Sequence, residues 1–268
     1  MSMPAAELER LLFQRDLHIL FQPIVNTTLG AELGFEALVS GPEGSGLHDA
    51  YTLFTAAQEN GQLLRLEMLC RELAIQQFVL LGLPGKLFLN ISPMALLDRH
   101  HHSGQTIRLL EQYGLDSRRV VIELSERYPM QDISLLTLAT RHYASMGLQI
   151  AMDDLGTGYS GLKLWSELRP DYVKIDRHFV AGVHQDRIKR EFVRFILGIA
   201  QRIGCQVIAE GVETAAEYDT LKGLGIGLLQ GYYLGRPEAS PPCLSTALLQ
   251  PSRRRKLLSL NPRYAEPA

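Results

Sequence analysis

Acidic and amide side chains, together with one lysine, recur near the carboxyl ends of the predicted strands of this chain. The residues at these positions are Glu36, Asn90, Glu123, Asp153, Asp154, Lys174, Asp176, Glu210 and Gln230. Carboxylates at contact distance repel one another, and burial raises the cost of keeping them ionised. A divalent cation removes that repulsion, and a set of oxygen ligands favours Mg²⁺ or Mn²⁺ over zinc or copper. The residue types therefore predict a Mg²⁺ or Mn²⁺ site.

Two features of this set suggest chemistry on a phosphate ester. Asp153 and Asp154 are adjacent, so that each could serve one metal ion or one could bridge two. A pair of metal ions about 3.5–4 Å apart can activate water and clamp a phosphoryl centre. Lys174 would add a cation that orients the water or stabilises phosphate charge. The alternative is that a pair such as Lys174 with a neighbouring carboxylate is only a structural salt bridge.

The elements that must position these residues alternate along nearly the whole chain. The predicted strands span residues 18–24, 33–38, 86–92, 120–125, 148–152, 171–175, 206–210 and 227–230. The predicted helices between them include residues 63–81, 107–112, 135–143, 188–203 and 216–224. This alternation predicts an α/β fold with a mainly parallel sheet that is buried on both faces.

Eight strands are also the number that closes a (β/α)8 barrel, and 268 residues is close to the length of one such barrel. Only residues 25–32 separate the first two strands, too few for a crossover helix, so this pair should be antiparallel. We therefore predict a modified TIM-type (β/α)8 barrel with an antiparallel first strand. Residues 1–17 would form a helical lead-in, 18–250 the barrel and 251–268 a basic C-terminal tail. The parallel strands would bring their polar ends to one mouth.

A glycine-rich segment permits a different interpretation. Gly156, Gly158 and Gly161 match the GxGxxG pattern of dinucleotide-binding loops and follow a predicted strand. However, Asp153 and Asp154 immediately before it would repel a bare pyrophosphate, and several strands precede this unit rather than none. A glycine loop beside a metal site explains the segment better than a dinucleotide-binding fold.

Composition narrows the class of protein. Hydrophobic residues make up 46% and charged residues 21%, which excludes disordered and fibrous proteins. The 27 basic residues against 29 acidic residues leave no positive excess for binding polymeric nucleic acid. Cys70, Cys205 and Cys243 are odd in number, far apart and without CxxC spacing, so they indicate neither a disulfide framework nor a zinc-thiolate site, and we expect a reducing compartment. The N-terminus lacks the apolar stretch of a secretory signal, and charged residues interrupt the longest apolar region, 63–83. We expect a soluble, cytoplasmic protein with no membrane span.

A group of motifs spread over residues 21–237 carries a family resemblance. Beside Glu36-Ala37-Leu38 the segments are FQPIV (21–25), FLNISP (88–93), VIELSER (121–127), MDDLGTGYSGL (152–162), DYVKIDRHFV (171–180), VIAEGVET (207–214) and LLQGYYLGRP (228–237). In this order they resemble the EAL-domain cyclic di-GMP phosphodiesterases, which are named after the Glu-Ala-Leu signature. The resemblance implies hydrolysis of one phosphodiester bond of cyclic di-GMP to linear pGpG, with Mg²⁺ or Mn²⁺.

The resemblance also implies roles for individual residues. The implied ligands of two metal ions are Glu36, Asn90, Glu123, Asp153, Asp154, Glu210 and Gln230. The implied catalytic residues are Lys174 near the attacking water, Glu210 as general base or second-metal ligand, and Glu213. The implied substrate-binding positions are Gln22, Ser40 and Gln230. Glu126 would anchor the loop at residues 154–160.

One position departs from the family pattern. Many members carry an arginine that contacts a substrate phosphate where this chain has Ser40. Loss of such a charge-assisted contact should cost roughly 1.5–3 kcal/mol, or about 10–150-fold in affinity. The alternative function is therefore a catalytically weak EAL domain that acts as a cyclic di-GMP receptor. All implied metal ligands are present, which favours the enzyme.

The resemblance further implies a homodimer formed through helices next to the loop at residues 154–160. Only residues 1–17 precede the first predicted strand, too few for a sensor domain. The chain would then be either a stand-alone enzyme or part of a longer chain, and regulatory input could come from an upstream sensor domain or from a partner protein.

Overall fold

Eight strands close into one barrel in chain order. A computed structural model describes residues 3–92, 104–125, 133–156 and 161–242. The strands are His18–Asn26 (β1), Ala31–Ser40 (β2), Lys86–Asn90 (β3), Val120–Ser125 (β4), Gln149–Leu155 (β5), Tyr172–Ile175 (β6), Gln206–Ala209 (β7) and Leu228–Gln230 (β8). Strand β1 pairs antiparallel with both β2 and β8, and the remaining neighbours are parallel. The predicted (β/α)8 barrel with an antiparallel first strand is confirmed.

Helices surround the barrel. They are Met3–Gln14 (α1), Ala50–Glu59 (α2), Leu63–Leu80 (α3), Gly104–Tyr113 (α4), Ile133–Ser145 (α5), Gly161–Leu168 (α6), Arg177–Val180 (α7), Arg187–Ile203 (α8) and Ala215–Gly223 (α9). The five helices bounded in the prediction are present, with ends that differ by a few residues. Helix α2 was not predicted, although Asp49 caps it by accepting hydrogen bonds from the backbone N–H groups of Tyr51 and Thr52. Across the described ranges, no helix combines the length and apolarity needed to cross a membrane.

Two apolar layers hold the barrel together. The larger lies between the strands and the helices, and it includes Leu8 and Leu11 of α1. The smaller fills the barrel interior, and we call it the barrel plug: Ile24, Phe88, Val121, Ala151, Tyr172, Ile208 and Leu228. Because β1 is antiparallel to its neighbours, its start lies at the same mouth of the barrel as the carboxyl ends of the other strands.

The end of β5 differs from its prediction. The strand was expected to stop at residue 152, with two aspartates in the following loop, but it extends to Leu155 and includes both. The pairing of β5 with β6 shifts register between Met152 and Leu155, which marks a bulge. Adjacent acidic residues made the segment resemble a loop, because ionised side chains are rarely accommodated in a buried strand.

Strand β7 ends one residue earlier than predicted, so Glu210 follows it. The lead-in prediction coincides with α1, whereas the predicted tail at 251–268 lies outside the described residues.

Candidate active site

A polar layer lies directly above the barrel plug. Side chains in a strand alternate between its two faces, so residues two apart share a face. Stepping two residues from each plug residue toward the mouth leads to Gln22, Asn90, Glu123, Asp153, Lys174, Glu210 and Gln230. Glu36 joins them from β2, where it pairs with Gln22 on one side and Phe88 on the other. The strand period therefore brings together most of the residues predicted from the sequence.

Lys174 is at the centre of this layer. Its side chain is 0% exposed, and its Nζ lies 3.0 Å from Glu36 Oε2 and 2.7 Å from Glu123 Oε1. The same Nζ lies 2.6 Å from Glu210 Oε1 and 3.4 Å from Asp153 Oδ1. One ammonium group is thus shared among four carboxylates. A single positive charge cannot neutralise four negative charges, so the layer retains an excess of negative charge.

The pKa directions follow from this unequal sharing. Burial lowers the pKa of Lys174, but the surrounding carboxylates outweigh burial and raise it well above its ordinary value, so the side chain stays charged. Burial raises the pKa of Glu123 well above its ordinary value, and the charge of Glu36 adds to this effect. Burial likewise raises the pKa of Glu210, against the attraction of Lys174. These directions describe carboxylates with too little positive charge around them.

Glu36 is the exception, because amide groups hold its carboxylate. Burial would raise its pKa, but Lys174 and hydrogen bonds from Gln230 and Asn90 outweigh burial and lower it. Gln230 Nε2 donates to Glu36 Oε2 at 2.7 Å, and Asn90 Nδ2 donates to Glu36 Oε1 at 2.9 Å. Gln230 Nε2 also lies 3.1 Å from Gln22 Oε1, its second acceptor. Gln230 therefore holds the signature glutamate directly, and Gln22 holds Gln230 from the β1 side.

A backbone irregularity directs Asp153 and Asp154 to the same side. In a regular strand, adjacent side chains point to opposite faces. Here Asp154 has a left-handed backbone with φ of 59°, at the bulge of β5. Its backbone N–H donates to Asp153 Oδ1 at 2.9 Å, and Ser125 Oγ donates to Asp154 Oδ2 at 3.0 Å. Such a conformation costs of the order of 1–3 kcal/mol and is typical of functional sites.

A cavity of about 320 Å³ opens above the polar layer. The described residues that line it are Gln22, Glu36, Leu38, Asp153, Asp154, Asp176, Arg177, Glu210, Gly211, Glu213, Gln230, Gly231 and Tyr232. Glu213 does not join the Lys174 cluster; its Oε2 instead pairs with Arg177 Nη2 at 2.9 Å. Ser40 pairs with His18 at the end of β2 and is not among the described residues that line the cavity. Glu126 lies outside the described residues.

Two residues that contribute to the site were not identified from the sequence. Ser125 supports Asp154, and Arg177 adds a cation to the cavity wall. The only available signal for Arg177 was its place directly after Asp176, beyond the end of β6. For Ser125 the sequence offered only its position at the end of β4.

The residues fit a divalent cation. One oxygen from each of Asp153, Asp154 and Glu210 can be chosen so that all lie within 4.8 Å of one another. Glu123 Oε1 lies 2.7 Å from the Lys174 ammonium, whereas Oε2 of this fully buried carboxylate has no hydrogen-bond partner among the described residues. Among the described residues, no group donates a hydrogen bond to the buried Gln230 Oε1 either. Oxygen atoms left in this state need a positive partner, and oxygen-only sets suit Mg²⁺ or Mn²⁺.

The fold and this site define a (β/α)8 barrel with a carboxylate-rich mouth of the kind that holds divalent cations. Residues 5–237 match the family described as EAL domain, and the chain belongs to that family. The cyclic di-GMP phosphodiesterase TpdA of Vibrio parahaemolyticus is 32% identical over 220 residues, which cover 82% of this chain and 37% of TpdA. The chain spans about a third of the length of the curated relatives it matches, for example 29%, 36% and 37% of three of them.

Solved structures show the same likeness. A standalone versatile EAL protein from Vibrio cholerae O395, in a form with bound c-di-GMP, superposes with a TM-score of 0.78 and 32% identity, covering 86% of this chain and 96% of that chain. The manganese and cyclic di-GMP complex of Klebsiella pneumoniae BlrP1 gives a TM-score of 0.76 and 28% identity, covering 83% of this chain and 56% of that chain. Relatives of this chain therefore include phosphodiesterases and proteins that bind cyclic di-GMP.

Proposed function

We propose that this chain is a metal-dependent phosphodiesterase that hydrolyses cyclic di-GMP to linear pGpG. The observation that carries the proposal is the cluster of Asp153, Asp154 and Glu210 at the barrel mouth, together with the buried Oε2 of Glu123, which has no partner among the described residues. Family membership and the relatives named as cyclic di-GMP phosphodiesterases support the choice of substrate.

The proposed ligands of two Mg²⁺ or Mn²⁺ ions are Glu36, Asn90, Glu123, Asp153, Asp154, Glu210 and Gln230. When bound, such ions supply positive charge that polarises a phosphoryl oxygen and lowers the pKa of water. Asn90 donates to Glu36 through its Nδ2, so its Oδ1 is the amide atom suited to a cation. Gln230 likewise donates through Nε2, and its buried Oε1 receives no hydrogen bond from the part of the chain that the structure describes.

The chain's own residues would position and deprotonate the water. Lys174 keeps its proton, because its pKa is raised, so it would act as a hydrogen-bond donor and fixed charge rather than as a base. Glu210 lies on the cavity wall beside it and would accept the proton. Glu213 lines the cavity, and its catalytic role stays a prediction, as do the substrate-binding roles of Gln22 and Ser40. The anchoring role of Glu126 stays a prediction.

The bond changes of the proposed reaction balance without a further reactant. The water oxygen bonds to phosphorus as the bond from phosphorus to the ribose 3′ oxygen breaks. One water proton passes to the Glu210 carboxylate, and the departing 3′ oxygen takes up a proton. The product is linear pGpG with a 5′ phosphate and a free 3′ hydroxyl.

Incubation of the purified chain with cyclic di-GMP tests the proposal. Chromatography of the reaction measures the product. We expect pGpG to form with Mn²⁺ and not with EDTA. Asp153→Asn should lower kcat by about a hundredfold or more, since it removes one charged oxygen ligand. Glu59→Gln, at an exposed carboxylate of α2, is the matched control and should keep full activity. Binding of cyclic di-GMP with Mn²⁺ but no pGpG would instead establish a receptor.

The proposed assembly is a homodimer. Helix α8 exposes Ile188, Phe192 and Phe195, with side chains 69%, 50% and 56% exposed. Apolar side chains grouped on one exposed helix face are typical of protein interfaces. Light scattering of the purified chain should give twice the monomer mass, and Phe195→Glu should return it to the monomer mass.

A further inference from the structure

The guanidinium of Arg177 places a positive charge at the rim of the active-site cavity. It begins α7, and its side chain is 59% exposed and lines the cavity. Its aliphatic portion lies across Gly211, where a Cβ atom would come within 2.5 Å of Arg177 Cγ and 2.7 Å of Arg177 Cβ. Glycine at 211 therefore leaves room for the arginine to cross the turn that follows β7 and reach the cavity.

The charge balance of the cavity makes this arginine unusual. Among the described lining residues it is the single cation, against the carboxylates of Glu36, Asp153, Asp154, Asp176, Glu210 and Glu213. Lys174 lies beneath them, fully buried. Arg236 is also near, but its guanidinium is stacked 4.3 Å from the ring centre of Tyr232 and is not part of the described lining.

The partner of Arg177 can be exchanged. Its Nη2 pairs with Glu213 Oε2 at 2.9 Å, and both side chains are solvent-accessible, 59% and 37% exposed. Exposed ion pairs contribute little to stability, so a competing anion can replace the glutamate at small cost. A guanidinium offers paired N–H donors that match phosphate geometry, and such contacts are among the stronger hydrogen bonds.

We propose that Arg177 is a substrate-binding residue that leaves Glu213 to hold the phosphate of cyclic di-GMP that is not being hydrolysed. This inference rests on the proposed function. Cyclic di-GMP carries two phosphodiesters, and a cation at the rim faces the one that lies away from the carboxylate cluster. Arg177 would contribute to affinity and to the preference for a two-phosphate ligand, and not to the bond-breaking step.

The test compares Arg177→Ala with wild type on two substrates in Mn²⁺. For cyclic di-GMP we expect KM to rise about tenfold or more, while kcat stays within about twofold of the wild-type value. This is the result expected when a charged contact is lost that is equally strong in the ground state and in the transition state. Bis(p-nitrophenyl) phosphate has one phosphate, so its kinetics should not change. Arg177→Lys should recover part of the affinity, and Arg202→Ala, an exposed arginine of α8, is the control.

Three results would overturn the inference. An unchanged KM for cyclic di-GMP would show that Arg177 does not bind it. An equal loss on both substrates would place Arg177 at the reacting phosphate, and a fall in kcat alone would make it catalytic. Calorimetric titration of cyclic di-GMP with Ca²⁺ separates this inference from the proposed function. If wild type binds but makes no pGpG, the proposed function fails, and a tenfold rise in Kd for Arg177→Ala still supports the inference.

Discussion

Replacement of Lys174 by methionine tests the electrostatic account of the site. The pKa of Lys174 lies well above 10.5, so the stabilisation from its charge is fully present at pH 7 and is lost only as the pH rises through the higher folded-state value. Its side chain is 0% exposed, and its Nζ lies 2.6–3.4 Å from the oxygens of four carboxylates. Removal of one partner of a buried ion pair costs about 3–5 kcal/mol. For a domain of this size we expect Tm in EDTA to fall by about 6–20 °C.

Metal ions should reduce this loss. Mn²⁺ would supply the positive charge that the variant lacks, and it would no longer compete with an ammonium for the same oxygens. Differential scanning fluorimetry of both proteins, with EDTA and with Mn²⁺, measures the effect. We expect Mn²⁺ to raise Tm more in Lys174→Met than in wild type, because ligands that bind only the folded state stabilise it by mass action.

A lysine outside the site serves as the control for Lys174→Met. Lys163→Met changes an exposed lysine of α6 and should alter stability by no more than about 0.5 kcal/mol. An equal Tm gain with Mn²⁺ in Lys174→Met and wild type would refute competition between the lysine and the metal. No Tm loss in EDTA would refute the claim that the lysine holds the carboxylates together.

Three further changes test other parts of the molecule. Ser40→Arg should lower KM for cyclic di-GMP about tenfold or more with little change in kcat, and an unchanged KM would mean that Arg177 or another group already holds the phosphate within reach of position 40. Glu217→Gln should cost about 1–3 kcal/mol in urea unfolding at pH 7, because Glu217 accepts backbone N–H bonds from Gly182, Glu213 and Thr214 at 2.9, 2.9 and 3.0 Å. Burial raises the pKa of Glu217, but these hydrogen bonds outweigh burial and lower the pKa from 4.5. The destabilisation by Glu217→Gln should therefore vanish as the pH falls through the lowered pKa of the folded protein. A destabilisation that does not depend on pH would contradict this. Gly34→Ala should destabilise the barrel by about 1–3 kcal/mol in the same assay, because its Cβ would come within 2.1 Å of the Lys86 carbonyl oxygen, and unchanged stability would show that β2 and β3 can separate without loss.

Much of the site was predictable because two periodicities agree. The alternation of strands and helices indicated a barrel, and the alternation within strands placed polar residues two positions beyond apolar ones. Tyr172 and Lys174 illustrate this, since one fills the barrel plug and the other the polar layer above it. Neither inference needs side-chain detail, so both could be made from residue types and spacing alone.

The parts of the site geometry that could not be predicted from the sequence depend on local backbone conformation. Asp154 reaches the same side as Asp153 only through a left-handed residue at a bulge, which no periodic pattern predicts. The four-residue helix α7 is too short for a helical repeat, so the direction of Arg177 was not predictable. Its pairing with Glu213 joins residues far apart in the sequence and depends on how two loops approach each other.

The charge of the whole chain and the charge of its mouth have different consequences. The chain is nearly neutral, with a formal net charge of −2, yet Glu36, Glu123, Asp153 and Glu210 surround one buried ammonium, and Asp154 lies beside Asp153 and Glu210. A ligand with two phosphodiesters would be repelled by such a mouth, whatever the average charge of the surface. Lys174 holds the carboxylates together but is too deeply buried to attract a ligand from solvent. On the proposed function, metal ions must therefore change the sign of the field at the cavity floor, while Arg177 already provides positive charge at its rim. Affinity for the substrate then depends on both, and the overall composition predicts neither.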